Sequence, residues 1–88
     1  MSTRTRYEVR LKASAEKELD GLPRTVFPHV VKAMLALQAE PRRHGCVKLR
    51  GSDAYRCRVG NYRIIYLIND AARIIEVIAV AHRKDAYR

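Results

Sequence analysis

At 88 residues the chain has room for one modest hydrophobic core and not for two. A hydrophobic content of 48% argues against disorder, and the longest apolar runs, residues 64–68 and 77–81, are strand-length and too short to span a bilayer. The formal net charge is +9, with nine Lys/Arg in residues 1–43 and nine in residues 44–88, so the excess forms a charged working surface and not a detachable basic tail.

No apolar stretch follows the first six residues, so no secretory signal is expected. Two cysteines do not make a disulfide framework. Cys57 is expected in the core and Cys46 in a loop, both as free thiols of a reducing compartment. These observations predict a cytoplasmic protein without membrane contact, folded as a single domain over residues 1–88.

Residues 5–11 alternate Tyr7, Val9 and Leu11 with Arg6, Glu8 and Arg10, the pattern of a half-buried strand. The period then changes. Ala15, Leu19 and Leu22 share a helical stripe while Glu16, Lys17, Glu18 and Asp20 face outward, and Gly21 and Pro23 end the helix. A longer helix is predicted over residues 25–39, with Phe27, Val30, Val31, Met34 and Leu37 as its apolar stripe. Thr25 as N-cap would place Pro28 in the first turn, where its missing N–H costs little. Residues 40–45 form an exit loop.

Residues 48–53 lead into a strand over 54–59. Gly60-Asn61 supplies a two-residue hairpin turn, residues 62–68 the next strand, 69–72 the next turn and 73–81 the last strand. The expected fold class is α+β: an N-terminal strand, a helical hairpin, then a three-stranded antiparallel meander. All strands are expected in one sheet, with the helices packed on one face.

The alternation in Tyr55-Arg56-Cys57-Arg58-Val59 puts both guanidiniums on the face opposite the apolar side chains. Lys48, Arg50, Arg63 and Arg83 are expected to converge on that face. Arg63 shares it with Ile65 and Leu67, which suggests a semi-apolar cleft floored by cations and fitted to a polyanion. Tyr87, beside these cations, is suited to stacking an unpaired base, although it could simply anchor the tail. Tyr55, Tyr62 and Tyr66 are expected to pack within the sheet.

His82 is open to three readings. No partner stands at metal-ligand spacing, so a metal site is the weakest and none is expected. A general acid or base, and a structural or phosphate-contacting histidine, stay open. His29 and His44 read as ordinary surface residues.

The sequence has no Gly-rich phosphate loop, no Ser elbow, no Cys–His nucleophile pattern and no pair of carboxylates in the basic face. Cations, tyrosines and one histidine can still support cleavage of RNA by its own 2′-hydroxyl. The substrate carries the nucleophile, and the protein aligns it, stabilises the dianionic phosphorane and helps protons move. No cofactor is needed.

The order strand, two helices, three strands resembles the RelE toxins of bacterial and archaeal toxin–antitoxin modules, in the RelE/ParE superfamily. So do Lys48-Leu49-Arg50-Gly51, the run from Tyr55 to Tyr66, and His82-Arg83-Lys84-Asp85-Ala86-Tyr87-Arg88. The resemblance implies a ribosome-dependent endoribonuclease. Such an enzyme cuts mRNA in the ribosomal A site, where codons are decoded, leaving a 2′,3′-cyclic phosphate and a 5′-hydroxyl. The resemblance also implies a RelB-like antitoxin as partner.

By motif position the resemblance assigns Arg56 and Arg58 as paired basic residues and Arg63 as the phosphate-stabilising arginine. Arg83 would assist the leaving group and Tyr87 would stack on the nucleotide. Lys48, Arg50, Lys84 and Arg88 complete the expected RNA-contacting set.

The best-known family pattern has lysines where this chain has Arg56 and Arg58. An arginine stays protonated above a pKa of ~12, so Arg58 is expected to orient phosphate and not to act as a base. That leaves His82 as the expected proton acceptor, if it reaches the cleft. The alternative is a ParE-like toxin that binds DNA gyrase without nuclease activity, and a third possibility is an inactive relative that only binds antitoxin or RNA.

Overall fold

In the computed structural model, which describes residues 6–84, seven elements follow one another. They are β1 (Glu8–Leu11), α1 (Ala13–Asp20), α2 (Phe27–Ala36), β2 (Cys46–Lys48), β3 (Tyr55–Val59), β4 (Tyr62–Asn69) and β5 (Ile74–His82). The strands form one five-stranded sheet in the order β1-β5-β4-β3-β2.

The α+β architecture and the antiparallel β3-β4-β5 meander agree with the sequence expectation. Two features of the sheet correct it. β1 joins β5 in parallel, which makes the sheet mixed. Residues 46–48, expected as loop and lead-in, form an edge strand antiparallel to β3, and Cys46 therefore belongs to the sheet.

The helices also differ in detail. α2 begins two residues later than expected, with Val26 at the N-cap, no side-chain cap bond and Pro28 still in the first turn. Its last three expected residues leave the helix as a turn. Val30, Met34 and Leu37 face the core, whereas Phe27, the first residue of α2, is exposed.

The core lies between the two helices and one sheet face. Ala15, Val30, Met34 and Leu37 meet Cys57, Ile64, Tyr66, Ile75, Val77 and Val80 there. Each fully buried Leu, Ile or Val adds about 1.5–3 kcal/mol of transfer free energy, enough to fix which face of the sheet turns inward. α1 is also tied to β5 through the Glu18 carboxylate, which accepts a hydrogen bond from the Val80 N–H at 2.8 Å. That carboxylate caps the edge of β5 beyond the end of β1.

A bulge in β5 sets everything beyond it. Ile65 pairs with Ala79 but Tyr66 pairs with Val77, so Ile78 is the extra residue. Before the bulge Ile75 and Val77 face the helices. After it, Val80 and His82 take that face, and Ala79 and Ala81 take the other. Unbroken alternation would have given the reverse.

Candidate functional site

Gly60 adopts φ +59° and opens the two-residue turn between β3 and β4, the glycine-first hairpin turn whose twist matches its strands. Val59 and Tyr62 close the turn, so the next pair, Arg58 and Arg63, is a non-hydrogen-bonded one, with Cα atoms roughly 4.5 Å apart. Arg58 is exposed and Arg56 half-buried, both on the sheet face that carries no helix. In β5 the small Ala81 stands opposite Arg63, and Ala79 opposite Ile65.

Arg63 is only 7% exposed. Its Nη1 donates to the carbonyl of Gly60 at 3.2 Å and to that of Tyr62 at 3.0 Å, holding the guanidinium against the turn. Its Nε is buried with no hydrogen-bond partner among the described residues. A buried cation with donor capacity left unused is costly unless an acceptor arrives.

The ladder continues one step beyond β5, where the Arg83 N–H donates to the Asn61 carbonyl at 2.7 Å. This register, inherited from the bulge, gives Arg83 the same sheet face as Ala81, Arg63 and Arg58. Lys84 follows in the turn and is exposed. Tyr87 and Arg88 lie outside the described residues.

Three expectations change. His82 pairs with Tyr62 on the helix side, where the two rings meet edge-on with centroids 5.2 Å apart. Its Nδ1 accepts the Lys84 N–H at 3.2 Å. The bulge is the physical reason that His82 and the arginines occupy opposite faces. Lys48 pairs with Tyr55 and so takes the helix-side face of β2, away from Arg56. Lys48 and Arg50 line a separate hollow of about 660 Å³ with Ser52 and Asp53, so they do not converge on the arginine face.

A residue missed by sequence reasoning takes a place beside the arginines. At the end of β2 opens a cleft of about 480 Å³ whose lining includes Arg43, His44, Arg56, Arg58 and the small Ala33. Among the described residues no carboxylate lines it. His44 reads as a loop residue in the sequence, and its only signal there is the short apolar Cys46-Val47 that follows it.

The loop that presents His44 is held at several points. The buried Tyr66 hydroxyl donates to the Pro41 carbonyl at 2.6 Å, and the Cys46 N–H donates to the Arg43 carbonyl at 3.0 Å. Arg42 makes a bidentate pair with Asp70, at 3.2 Å and 2.9 Å, and its Nε donates to the Tyr55 hydroxyl at 3.1 Å. The Tyr7 hydroxyl also donates to Asp70, at 2.6 Å. These bonds, Arg42 first, bring the Asp70 carboxyl down to about 2.

Cys46 and Cys57 are free thiols that face each other across β2 and β3. No group of three or more His, Cys, Asp or Glu among the described residues is placed to hold a metal ion, and no described helix is long and apolar enough to cross a membrane.

A small mixed sheet with two helices on one face and an arginine-lined hairpin on the other belongs to the toxins of type II toxin–antitoxin systems. Residues 9–87 match the family described as "ParE toxin of type II toxin-antitoxin system, parDE", and the chain is a member of that family, within the RelE/ParE superfamily that its motifs resemble. Among its relatives, Toxin RelG of Mycobacterium tuberculosis is 34% identical over 84 residues, spanning 93% of this chain and 97% of that protein.

The toxin–antitoxin complex RelBE2 of the same organism contains a chain that superposes with a TM-score of 0.82 at 31% identity, over 92% of this chain and 95% of that one. The isolated E. coli RelE toxin superposes with a TM-score of 0.77 at 29% identity, over 86% and 83%.

Proposed function

We propose that this toxin is a ribosome-dependent endoribonuclease that cleaves mRNA in the ribosomal A site and so inhibits translation. The observation that carries the reading is the pairing of Arg58 with Arg63 on the open sheet face, beside Arg56 and in register with Arg83. Two cations set opposite each other repel, and a phosphate between them turns that repulsion into binding.

Each residue then has a role. Arg56 and Arg58 hold the RNA backbone. Arg63, fixed against the turn and with donor capacity to spare, meets the charge that builds on the phosphorane. Arg83 stabilises the departing 5′-oxygen, and Tyr87 stacks on a base. Lys84 and Arg88 add backbone contacts, while Lys48 and Arg50, in their own hollow, contact RNA or ribosome outside the reacting phosphate. Attack by the 2′-hydroxyl needs no resident cofactor. A RelB-type antitoxin neutralises the protein in the cytoplasm, and residues 1–88 act as one domain.

Sequencing RNA ends after induced expression tests the reading. Translated mRNA is expected to be cut within codons, giving 5′-hydroxyl ends, with Arg63→Ala or Arg83→Ala lowering cleavage by on the order of 10²–10³. Intact translated mRNA in cells making the wild-type protein overturns it. The second reading is a ParE-like toxin that binds DNA gyrase without cutting RNA, and the match to a ParE toxin family favours it. A supercoiling assay run beside ribosome toeprinting separates the two.

A further inference from the structure

The nuclease reading leaves one task without an actor among the arginines, the removal of the proton from the attacking 2′-hydroxyl. Resting on that reading, we infer that His44 is the proton acceptor. An arginine, with a pKa above ~12, stays charged at any pH at which RNA is translated. Imidazole is the side chain whose ordinary titration lies near neutrality.

Several other candidates among the described residues lie elsewhere or are already bonded. His82 lies on the helix side, against Tyr62. His29, on α2, lines a hollow between that helix and the hairpin turn, with Thr25, Val26, Gly60 and Tyr62. The hydroxyl of Tyr66 is committed to the Pro41 carbonyl, and that of Tyr55 accepts from Arg42. Glu8 is paired with Arg10 at the far end of the sheet, and Glu76 lines the hollow there with Arg10 and Asp70.

His44 shares a cleft with Arg56 and Arg58, and its loop is tied down on both sides. The groups around it are Arg43 from its own loop and Arg56, Arg58 and the Cys57 thiol from β3. Ala33 of α2 and Val47 of β2 add no charge.

In the step itself the O2′ proton passes to the imidazole as the O2′–P bond forms and the P–O5′ bond breaks. O5′ takes a proton from water, and the imidazolium returns its proton to solvent. The RNA is thereby isomerised to a cyclic phosphate and a free 5′-hydroxyl with no other reactant.

Single-turnover cleavage of mRNA on programmed ribosomes, measured between about pH 5 and 8, is the test. Wild type, His44→Gln and His82→Ala are compared, with ribosome binding measured for each. His44→Gln is expected to cut about 10²–10³-fold more slowly, to lose the rise of rate with pH, and to bind ribosomes as wild type does. His82→Ala is expected to keep that rise.

If His44→Gln retains the wild-type rate and pH profile, or loses ribosome binding while keeping the profile, the inference fails and the nuclease reading stands. If the wild type bound to ribosomes cuts nothing at any pH, the nuclease reading falls and takes the inference with it.

Discussion

Arg58 and Arg63 occupy the closest kind of antiparallel pair, one step from the turn that Gly60 opens, and the Arg63 guanidinium folds back onto the carbonyls of that turn. The geometry separates two duties. Arg63 is built into the hairpin, while Arg58 is exposed and makes no comparable contact with the turn.

Replacing Arg58 should therefore divide stability from activity. Like charges directly across a sheet destabilise it, so Arg58→Gln is expected to leave the fold unchanged or to stabilise it by ~0.2–1 kcal/mol. Cleavage is expected to fall by on the order of 10²–10³ in the same protein. Denaturant midpoints and RNA-end counts check the two halves, and a clear loss of stability would show that the pair is not repulsive.

Much of this site was legible in local pattern. The alternation from Tyr55 to Val59 and the Gly60-Asn61 turn fix the faces of β3 and β4 without any distant information. The rest depends on contacts that a local pattern cannot carry. β2 has only three residues, too few for a period of two to stand out. The parallel pairing of β1 joins residues more than sixty positions apart. The bulge at Ile78 leaves an unbroken apolar run in the sequence, yet it reverses the faces of His82 and Arg83. His44 lines a cleft with Arg56 and Arg58 at the edge that the pairing of β2 with β3 builds.

Asp70 offers a test by pH. Its carboxyl is drawn down to about 2 by the hydrogen bonds from Arg42 and then Tyr7. An unfolded aspartate titrates near ~3.9, so the contribution of this pair to stability is complete above that pH and is lost as pH falls towards 2. The stability difference between wild type and Asp70→Asn is expected to be flat from about pH 5 to 8 and to close between about 4 and 2. Because the pair is exposed, added salt should shrink it. A difference that persists at pH 2 would assign the effect to packing.

The thiols predict a difference in reactivity. Burial, aided by the hydrogen bond with Cys46, pushes the Cys57 thiol up to about 12. Little of it is then thiolate, the reactive form, at pH 8. Alkylation followed by peptide mass spectrometry should label Cys46 first and Cys57 only as the protein unfolds. Equal labelling rates in the native protein would mean that the β2–β3 edge opens readily.

The bond between Tyr66 and Pro41 links the core to the loop that carries His44. The tyrosine is fully buried, and burial raises its phenol above the ordinary range, so the hydroxyl stays a donor throughout the working pH range. Tyr66→Phe removes the donor and leaves the Pro41 carbonyl unmatched in a buried setting, a loss of about 1–3 kcal/mol. The same change frees one anchor of the 42–45 loop while leaving Arg58, Arg63 and Arg83 in place. Cleavage should consequently fall more than ribosome binding does, and the fall should persist at temperatures well below the variant's melting point. If Tyr66→Phe loses stability but cuts mRNA at the wild-type rate, the loop's position does not matter to the chemistry, and His44 cannot be acting from it.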